Sequence, residues 1–107
     1  MYFKNSRLIK KLTSVIILPG VTSVPDRAFC NSALEEVRLA ASVHVIEKNA
    51  FSGCRSLQIV TFEKLSQLKY IGEEAFWGCV SLKEITIAAA TQVGWKGIHR
   101  SVCITRE

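Results

Sequence analysis

The chain has 107 residues, of which 49% are hydrophobic, and this length and composition fit one domain with a sizeable core and argue against disorder. It carries 14 Lys and Arg against 9 Asp and Glu, a net charge of +5. Seven of these cations and eight of the anions lie between residues 12 and 95, so the body is nearly neutral and the basic excess sits at the two ends. This distribution argues against a polyanion-binding face, and we expect no nucleic acid partner.

Residues 1–11 are predicted to be an N-terminal flank or a partial repeat. Their segment YFKNSRL has the same pattern as AFCNSAL at residues 28–34. The flank therefore resembles the tail of a preceding repeat.

Three copies of one pattern follow the flank, each with an L-x-x-V-x-L strand signal, a second short apolar pair and an Ala-Phe dipeptide. The copies begin 22, 23 and 25 residues apart, and periods of 20–29 residues are typical of leucine-rich repeats. The first residues of the three copies and of a fourth, degenerate one are Leu12, Leu34, Leu57 and Leu82. One domain is therefore predicted, divided into repeats 12–33, 34–56 and 57–81 and a last segment 82–107.

The last segment, 82–107, lacks the Ala-Phe and Gly-Cys pairs of the other copies. Trp95, Ile98 and Val102 are the apolar residues that would cover the core there. A terminal repeat has to shield one flat side of a stack from water, so atypical ends are expected. The segment is predicted to be a degenerate repeat or a cap.

Within a copy, the strand signal predicts which side chains face the core. Because side chains alternate between the faces of a strand, Val37 and Leu39 are expected to point inward and Glu36 and Arg38 outward. Each copy also contributes one large ring to the interior. A single column of stacked rings is therefore expected from Phe29, Phe51 and Phe76.

The four cysteines do not establish a redox compartment. Cys54 and Cys79 occupy the same position in successive copies, which favours packing over disulfide formation. His99 and Cys103 have an H-x3-C spacing, but no C-x2-C pair accompanies them, so no metal site is predicted. No triad order, phosphate loop or carboxylate pair appears either, and we expect neither a cofactor nor enzymatic activity.

No apolar run reaches the roughly 18 residues that a membrane helix requires. Residues 1–24 imitate a signal peptide, with a basic start followed by LTSVIIL. Pro19 and Gly20 interrupt this run, however, and the segment is in register with the later repeats. We therefore expect no membrane partner, and a chain that is intracellular or a fragment of a surface or secreted protein.

The strings VTSVPDRAF, VHVIEKNAFSGCRSLQIV and LKYIGEEAFWGCVSLKEITI resemble the BspA-like, or Treponema-type, leucine-rich repeat, over residues 12 to about 87. The resemblance implies a curved solenoid whose strands line the concave face, in a family of bacterial and protist surface and secreted proteins associated with adhesion. The predicted fold is a right-handed superhelix of stacked coils of about 23 residues, made mostly of short strands with short helical or 3-10 turns.

The predicted function is a protein-protein interaction or adhesion module that binds a protein partner through the concave strand face. Ile16 and Ile59 are apolar at positions predicted to be exposed, as expected of a binding site. The alternative is a structural spacer or terminal fragment of a longer array, with self-association through the repeat ends. The residues predicted to form the protein-binding face are Ser14, Ile16, Glu36, Arg38, Ile59, Thr61, Glu63, Glu84 and Thr86.

Overall fold

The computed structural model describes residues 13–64 and 66–107. The flank at residues 1–11, its similarity to a preceding repeat, and the first residue of the first copy, Leu12, lie outside the described residues. All regular elements in the described ranges are short β-strands. In chain order they are β1 (Ser14–Ile17), β2 (Ser23–Val24), β3 (Glu36–Leu39), β4 (Val45–Ile46), β5 (Ile59–Phe62), β6 (Tyr70–Ile71), β7 (Glu84–Ile87), β8 (Gln92–Val93) and β9 (Cys103–Arg106).

The strands form parallel sheets on two sides of a β-solenoid. Four successive coils each contribute one four-residue strand and one two-residue strand, and we number the coils 1 to 4 by these pairs. The two-residue strands form a continuous sheet in the order β2-β4-β6-β8. The four-residue strands form two separate sheets, β1-β3-β5 and β7-β9. The predicted solenoid of stacked coils is therefore confirmed.

Alternation along the four-residue strands fixes the inner and outer faces. In β3, Val37 and Leu39 are fully buried, Arg38 is exposed and Glu36 is half-buried. β1 and β7 show the same alternation of exposed and buried residues. The pattern predicted from the sequence is thus correct, because one face of each strand packs on the core and the other meets solvent.

The turns that follow the two-residue strands are held by two alternating sets of backbone hydrogen bonds. Every second N–H donates within its own turn, as Ala28 does to Pro25 and Cys30 to Arg27. The N–H groups between them donate to the next coil, over 2.6–3.2 Å. These inter-coil donors and acceptors are Arg27 to Lys48, Phe29 to Ala50, Asn31 to Ser52, Asn49 to Glu73, Phe51 to Ala75 and Gly53 to Trp77.

The same turns show why the expected helical or 3-10 segments are absent from the described residues. In coils 1 to 3, two positions of each turn have positive φ, such as Arg27 and Asn31 at 58° each in coil 1, and in coil 4 Lys96 does at 54°. A left-handed residue at these points interrupts a right-handed helix before a second turn can form. The backbone therefore crosses from one coil to the next as a series of tight turns.

One aromatic column joins the coils through the core. The rings of Phe29 and Phe51 stack with centroids 5.3 Å apart and planes within 8°. Those of Phe51 and Phe76 are 5.2 Å apart and within 3°. All three side chains are buried. The predicted column is confirmed, and it makes each coil depend on its neighbours.

A second column, of small polar side chains, runs beside the rings. The Ser32 hydroxyl lies 3.3 Å from Cys54 Sγ, which donates to the Phe29 carbonyl at 3.1 Å. One coil further, Cys79 Sγ donates to the Phe51 carbonyl at 3.2 Å. All four cysteines are free thiols. Serine takes the place of cysteine here because both are small and can donate one hydrogen: Cys54 donates to the Phe29 carbonyl, so the Ser32 hydroxyl can donate to Cys54 Sγ.

The two buried thiols, Cys54 and Cys79, shift each other's pKa. A hydrogen bond with Cys79, aided by Ser32 and opposed by burial, lowers the pKa of Cys54 to about 7. The same bond, together with burial, raises the pKa of Cys79. The pair therefore shares one ionisation, because a second charge in the same dry column would be repelled and unsolvated.

Coil 4 is built from different residues. The Phe76 N–H donates to the Gly97 carbonyl at 3.0 Å, so Gly97 and Ile98 occupy the Ala-Phe position. Val102 is buried, whereas Trp95 is exposed. After Val102 the chain enters β9, which pairs in parallel with β7. In the described part of the chain, no strand pairs with the other edge of β9.

None of the described residues belongs to a helix of the length and hydropathy that crossing a membrane would require.

The aromatic column predicts a large effect of one truncation. Phe51→Ala removes the ring that contacts both neighbouring rings, and we expect it to lower the free energy of unfolding by about 3–5 kcal/mol. Urea denaturation followed by circular dichroism measures this loss. Val80→Ala, at an exposed residue, is the matched control and should change stability by less than about 0.5 kcal/mol. If the Ala variant does not fold, Phe51→Leu measures a smaller loss, and no loss in either variant would contradict the column.

The thiol pair predicts a maximum in stability with pH. The contribution of Cys54 is present above the ordinary thiol pKa of 9.0 and lost as the pH falls through about 7. The contribution of Cys79 is present below 9.0 and lost as the pH rises above it. Under reducing conditions, the difference in unfolding free energy between the wild type and Cys54→Ala/Cys79→Ala should rise from pH 7 to about 9 and then fall. A difference that stays constant over this range would refute the coupling.

Candidate functional site

The outward residues of β1, β3 and β5 form two rows that cross the first three coils. Parallel pairing places Ser14 beside Glu36 and Glu36 beside Ile59 in the first row. The second row consists of Ile16, Arg38 and Thr61 in the same register. Six of the nine residues predicted for the binding face are therefore brought together on one surface, which we call the strand face.

Two apolar side chains interrupt the polar character of the strand face. Ile16 is 54% exposed and lies beside Arg38, and Ile59 is 50% exposed and lies beside Glu36. Leu18, just after β1, is 49% exposed. In the register of the sheet each isoleucine therefore has a charged neighbour on β3, positive for Ile16 and negative for Ile59.

The positions just beyond the ends of β1, β3 and β5 do not form a third complete outward row. The alternation that points Glu36 and Arg38 outward also predicts an exposed Ala40, in line with Leu18 and Glu63, but Ala40 is buried and this prediction is wrong. The reason is that β3 ends at Leu39, so strict alternation stops before Ala40. Its N–H instead donates to the Ile17 carbonyl at 3.0 Å as the chain turns inward. Glu63, after β5, is exposed.

An opening separates the strand face, on coils 1 to 3, from the outward residues of coil 4. Within the described residues, no backbone hydrogen bond joins β5 to β7, although both strands pair on their other sides. The two remaining predicted residues, Glu84 and Thr86, are exposed but lie on β7, across this opening. We call the opening the seam. The structure thus places the nine predicted residues on two adjoining surfaces.

The seam is a groove of about 750 Å³ with mixed chemistry. Val60, Phe62 and Ile85 form an apolar part, and Ile59 and Thr61 lie on one wall. Since the strands that flank it are unpaired there, their backbone groups are available to a hydrogen-bonding ligand. The cavity is in the size range of ligand sites.

Among the polar residues of the groove that sequence reasoning missed are Gln58 and Lys83. Each directly precedes a strand and so falls outside the alternating pattern used to select the face. The signal that could have located the seam is the spacing of the third repeat, which is 25 residues where the second is 23. The extra residues lie in the connection that follows β5.

The groups that could support metal or thiol chemistry are dispersed. Among the residues the structure describes, no three His, Cys, Asp or Glu side chains are close enough to hold a metal ion. Cys103 is exposed on β9, and Cys54 and Cys79 are buried in the core. His99 Nδ1 forms a hydrogen bond with the Ser101 hydroxyl, whose Oγ lies 2.7 Å away.

Comparison with known proteins identifies the architecture. Residues 2–98 match the BspA type leucine rich repeat region (6 copies). A leucine-rich repeat protein from Bacteroides capillosus is 26% identical with a TM-score of 0.74, over 90% of this chain and 78% of that protein. Comparison with curated protein sequences gave no match.

Two longer proteins contain the same arrangement. The pneumococcal vaccine antigen PcpA is 25% identical with a TM-score of 0.71, over 89% of this chain and 27% of PcpA. A leucine-rich cell surface protein from Faecalibacterium prausnitzii is 23% identical with a TM-score of 0.68, over 90% of this chain and 36% of that protein, and it shows the fold alone.

Leucine-rich repeat proteins of this kind are typically interaction or surface proteins and are generally non-enzymatic. The stacked coils, the aromatic column and the match over residues 2–98 agree with one another. This chain belongs to the BspA-type leucine-rich repeat family.

Proposed function

We propose that the chain is a non-enzymatic protein-binding module whose partner contacts the strand face. The observation that carries this proposal is the exposure of Ile16 and Ile59 among charged neighbours on a surface built by three paired strands. Exposed apolar side chains framed by charge favour a protein partner, because burial of the apolar part supplies affinity and the charges supply orientation.

The chemistry of the strand face favours an extended segment of the partner. Its outward side chains repeat with the spacing of the coils, so a segment that crosses the coils meets an apolar and a charged residue in turn. At the seam, the unpaired backbone of β5 and β7 adds donors and acceptors to these side chains. Main-chain hydrogen bonds at a sheet edge are a common source of affinity for extended peptides.

The related proteins are consistent with this proposal. One similar protein is a vaccine antigen of a pneumococcus and another is a cell surface protein. Adhesion to a protein at a cell surface is therefore the setting we propose for this chain. The identity of the partner is defined only by its chemistry, an extended segment with apolar and charged residues.

The strand face predicts the outcome of a binding comparison. The double variant Arg38→Glu/Ile59→Glu adds two negative charges, removes one positive charge and removes an apolar contact, and it should weaken capture of protein partners by about tenfold or more. Immobilised wild type and variant, exposed to the same cell-surface extract and compared by quantitative mass spectrometry, measure the change.

The matched control for this comparison is Lys69→Glu/Tyr70→Glu, at exposed residues before and within β6 on the opposite sheet. It makes the same change in charge and also removes an apolar side chain. Partners lost by the first variant and kept by the control would support the strand face. Equal recovery with both variants would contradict it and favour a spacer.

The alternative function, a structural element of a longer array, is supported by a different observation. β9 has an unpaired edge within the described residues, and Ile104 is 40% exposed. Ile104 pairs with buried Ile85, so its side chain is at an interior position, and no further coil covers it among the described residues. Such an end favours stacking against another coil, including one from a second copy of the chain.

This alternative predicts self-association that depends on Ile104. Sedimentation equilibrium should detect dimers at high protein concentration, and Ile104→Glu should weaken the association by about tenfold or more, because a carboxylate would be buried at the contact. Thr105→Glu is the control, since the adjacent residue of the strand points to the other face. Monomers at all concentrations, or equal effects of the two variants, would exclude association through β9.

A further inference from the structure

A second concave site lies away from the strand face, at the edge of the solenoid where the turns of coils 3 and 4 meet. It is a cavity of about 610 Å³, which we call the turn pocket. The residues that line it are Trp77, Gly78, Lys96, Ile98, His99 and Arg100.

The turn pocket exists because the last turn is shorter than the others. Eight positions separate Phe76 from Glu84, the first residue of β7, but only five separate Ile98 from Cys103, the residue of β9 that pairs with Glu84. The chain of coil 4 therefore leaves the edge of the solenoid earlier. It does not complete the row of inter-coil hydrogen bonds that the preceding turns form.

The missing bond exposes one backbone donor. Asn31 and Gly53, the residues equivalent to Gly78, donate to Ser52 and Trp77 at 2.8 and 2.6 Å. Gly78 has the same left-handed conformation, with φ of 78°. Its N–H has no hydrogen-bond partner among the described residues. Since the equivalent groups point to the following coil, the Gly78 N–H is directed to the side on which the turn pocket lies.

The side chains around this donor are donors as well. Lys96 and Arg100 bring two positive charges, and no carboxylate lines the pocket among the described residues. Lys96 lines the pocket, and its Nζ makes a cation–π contact 4.5 Å from the centroid of the Trp95 ring.

The tautomer of His99 leaves one ring nitrogen able to donate a hydrogen bond. The Ser101 N–H donates to His99 Nδ1 at 3.0 Å, and the Ser101 hydroxyl lies 2.7 Å from the same atom. Because Nδ1 accepts a hydrogen bond, the neutral imidazole carries its proton on Nε2. The second ring nitrogen is thus available to donate.

Apolar surface completes the site. Trp77 is 52% exposed although its neighbour Phe76 is buried, and its indole forms one wall. Ile98 is half-buried and forms part of the floor. A surface whose charged side chains are both cations, with a free backbone donor beside an aromatic face, is complementary to an anionic group attached to a flat or apolar body.

We propose that the turn pocket binds an organic oxyanion, a ligand whose carboxylate, phosphate or sulfate group meets the Gly78 N–H, Lys96 and Arg100 while its ring packs on Trp77. This site is independent of the strand face and does not rest on the proposed protein-binding function. The three oxyanions share the chemistry that the pocket recognises, and the experiment distinguishes them.

The test uses the full chain and four probes: benzoate, phenyl phosphate, phenyl sulfate and the neutral benzyl alcohol. Titration followed by ¹H–¹⁵N NMR reports on the Gly78 amide directly. At least one anionic probe should shift the Gly78 amide and saturate with a dissociation constant on the order of 1 mM or below, a value typical of small ligands in open sites. Benzyl alcohol should bind at least about tenfold more weakly, because it lacks the charge.

Variants measure how much the positive charge and the aromatic wall each contribute to the affinity for the probes. Arg100→Gln and Trp77→Ala should each weaken the best anionic probe by about fivefold or more. Arg55→Gln, at an exposed arginine that does not line the pocket, is the control and should leave the affinity within twofold. Inorganic phosphate should bind more weakly than phenyl phosphate and should respond to Arg100→Gln but not to Trp77→Ala.

Three results would overturn the proposal. They are an unmoved Gly78 amide at saturating probe, equal affinity for benzyl alcohol and the anions, and unchanged affinity in Arg100→Gln. The NMR spectrum of each variant also shows whether it is folded, so a loss of binding through unfolding is recognised. Carboxylate, phosphate and sulfate are then ranked by their affinities for the wild type.

Discussion

The structure depends on the repeated backbone hydrogen bonds that hold each coil to the next. They require equivalent residues of neighbouring coils to lie about 5 Å apart, and the stacked rings of Phe29, Phe51 and Phe76 have this spacing. The same constraint limits other positions. A Cβ atom on Gly72 would lie 2.8 Å from the Lys48 backbone nitrogen, so only glycine fits where these coils approach. The sequence therefore repeats because coils can stack at this spacing only when equivalent positions carry residues that fit it.

This constraint also explains where surfaces with binding potential arise. From one to the next, repeats 1 to 3 differ in length by one or two residues, and β1, β3 and β5 still pair in register. Backbone groups are left open instead between coils 3 and 4, where β5 and β7 do not pair. The connection from Ile98 to β9 is also three residues shorter than that from Phe76 to β7, and the Gly78 N–H has no acceptor among the described residues. Both candidate sites therefore lie between coils 3 and 4.

The strand face is determined by its outward side chains, whereas the turn pocket is determined largely by the backbone. Outward residues of the strands make no packing contribution to the core, so Ile16, Arg38 and Ile59 are free to vary with the requirements of a partner. The turn pocket, in contrast, depends on the conformation of the backbone. Its oxyanion chemistry comes from a main-chain donor that the preceding coils use for stacking, supplemented by Lys96 and Arg100.

The sequence by itself determined the solenoid, the alternation of the strands and the Phe column, because a repeated pattern of residues reports which positions recur in the core. It also located most of the strand face, since period-two alternation distinguishes inward from outward residues. It did not place Ala40, whose burial follows from the end of β3, and it predicted helical turns where left-handed residues produce tight ones.

Only the tertiary structure decided the seam and the turn pocket. Both depend on whether a backbone group meets its partner in the neighbouring coil, which is set by how two coils are placed and not by the residue types within one of them. The changes in spacing are visible in the sequence, but the hydrogen bonds that they leave unmade are not: β5 pairs with β3 despite the two extra residues of repeat 3, whereas β5 and β7 do not pair. Hydrogen bonds between coils require register as well as composition, so the placement of both coils decides them.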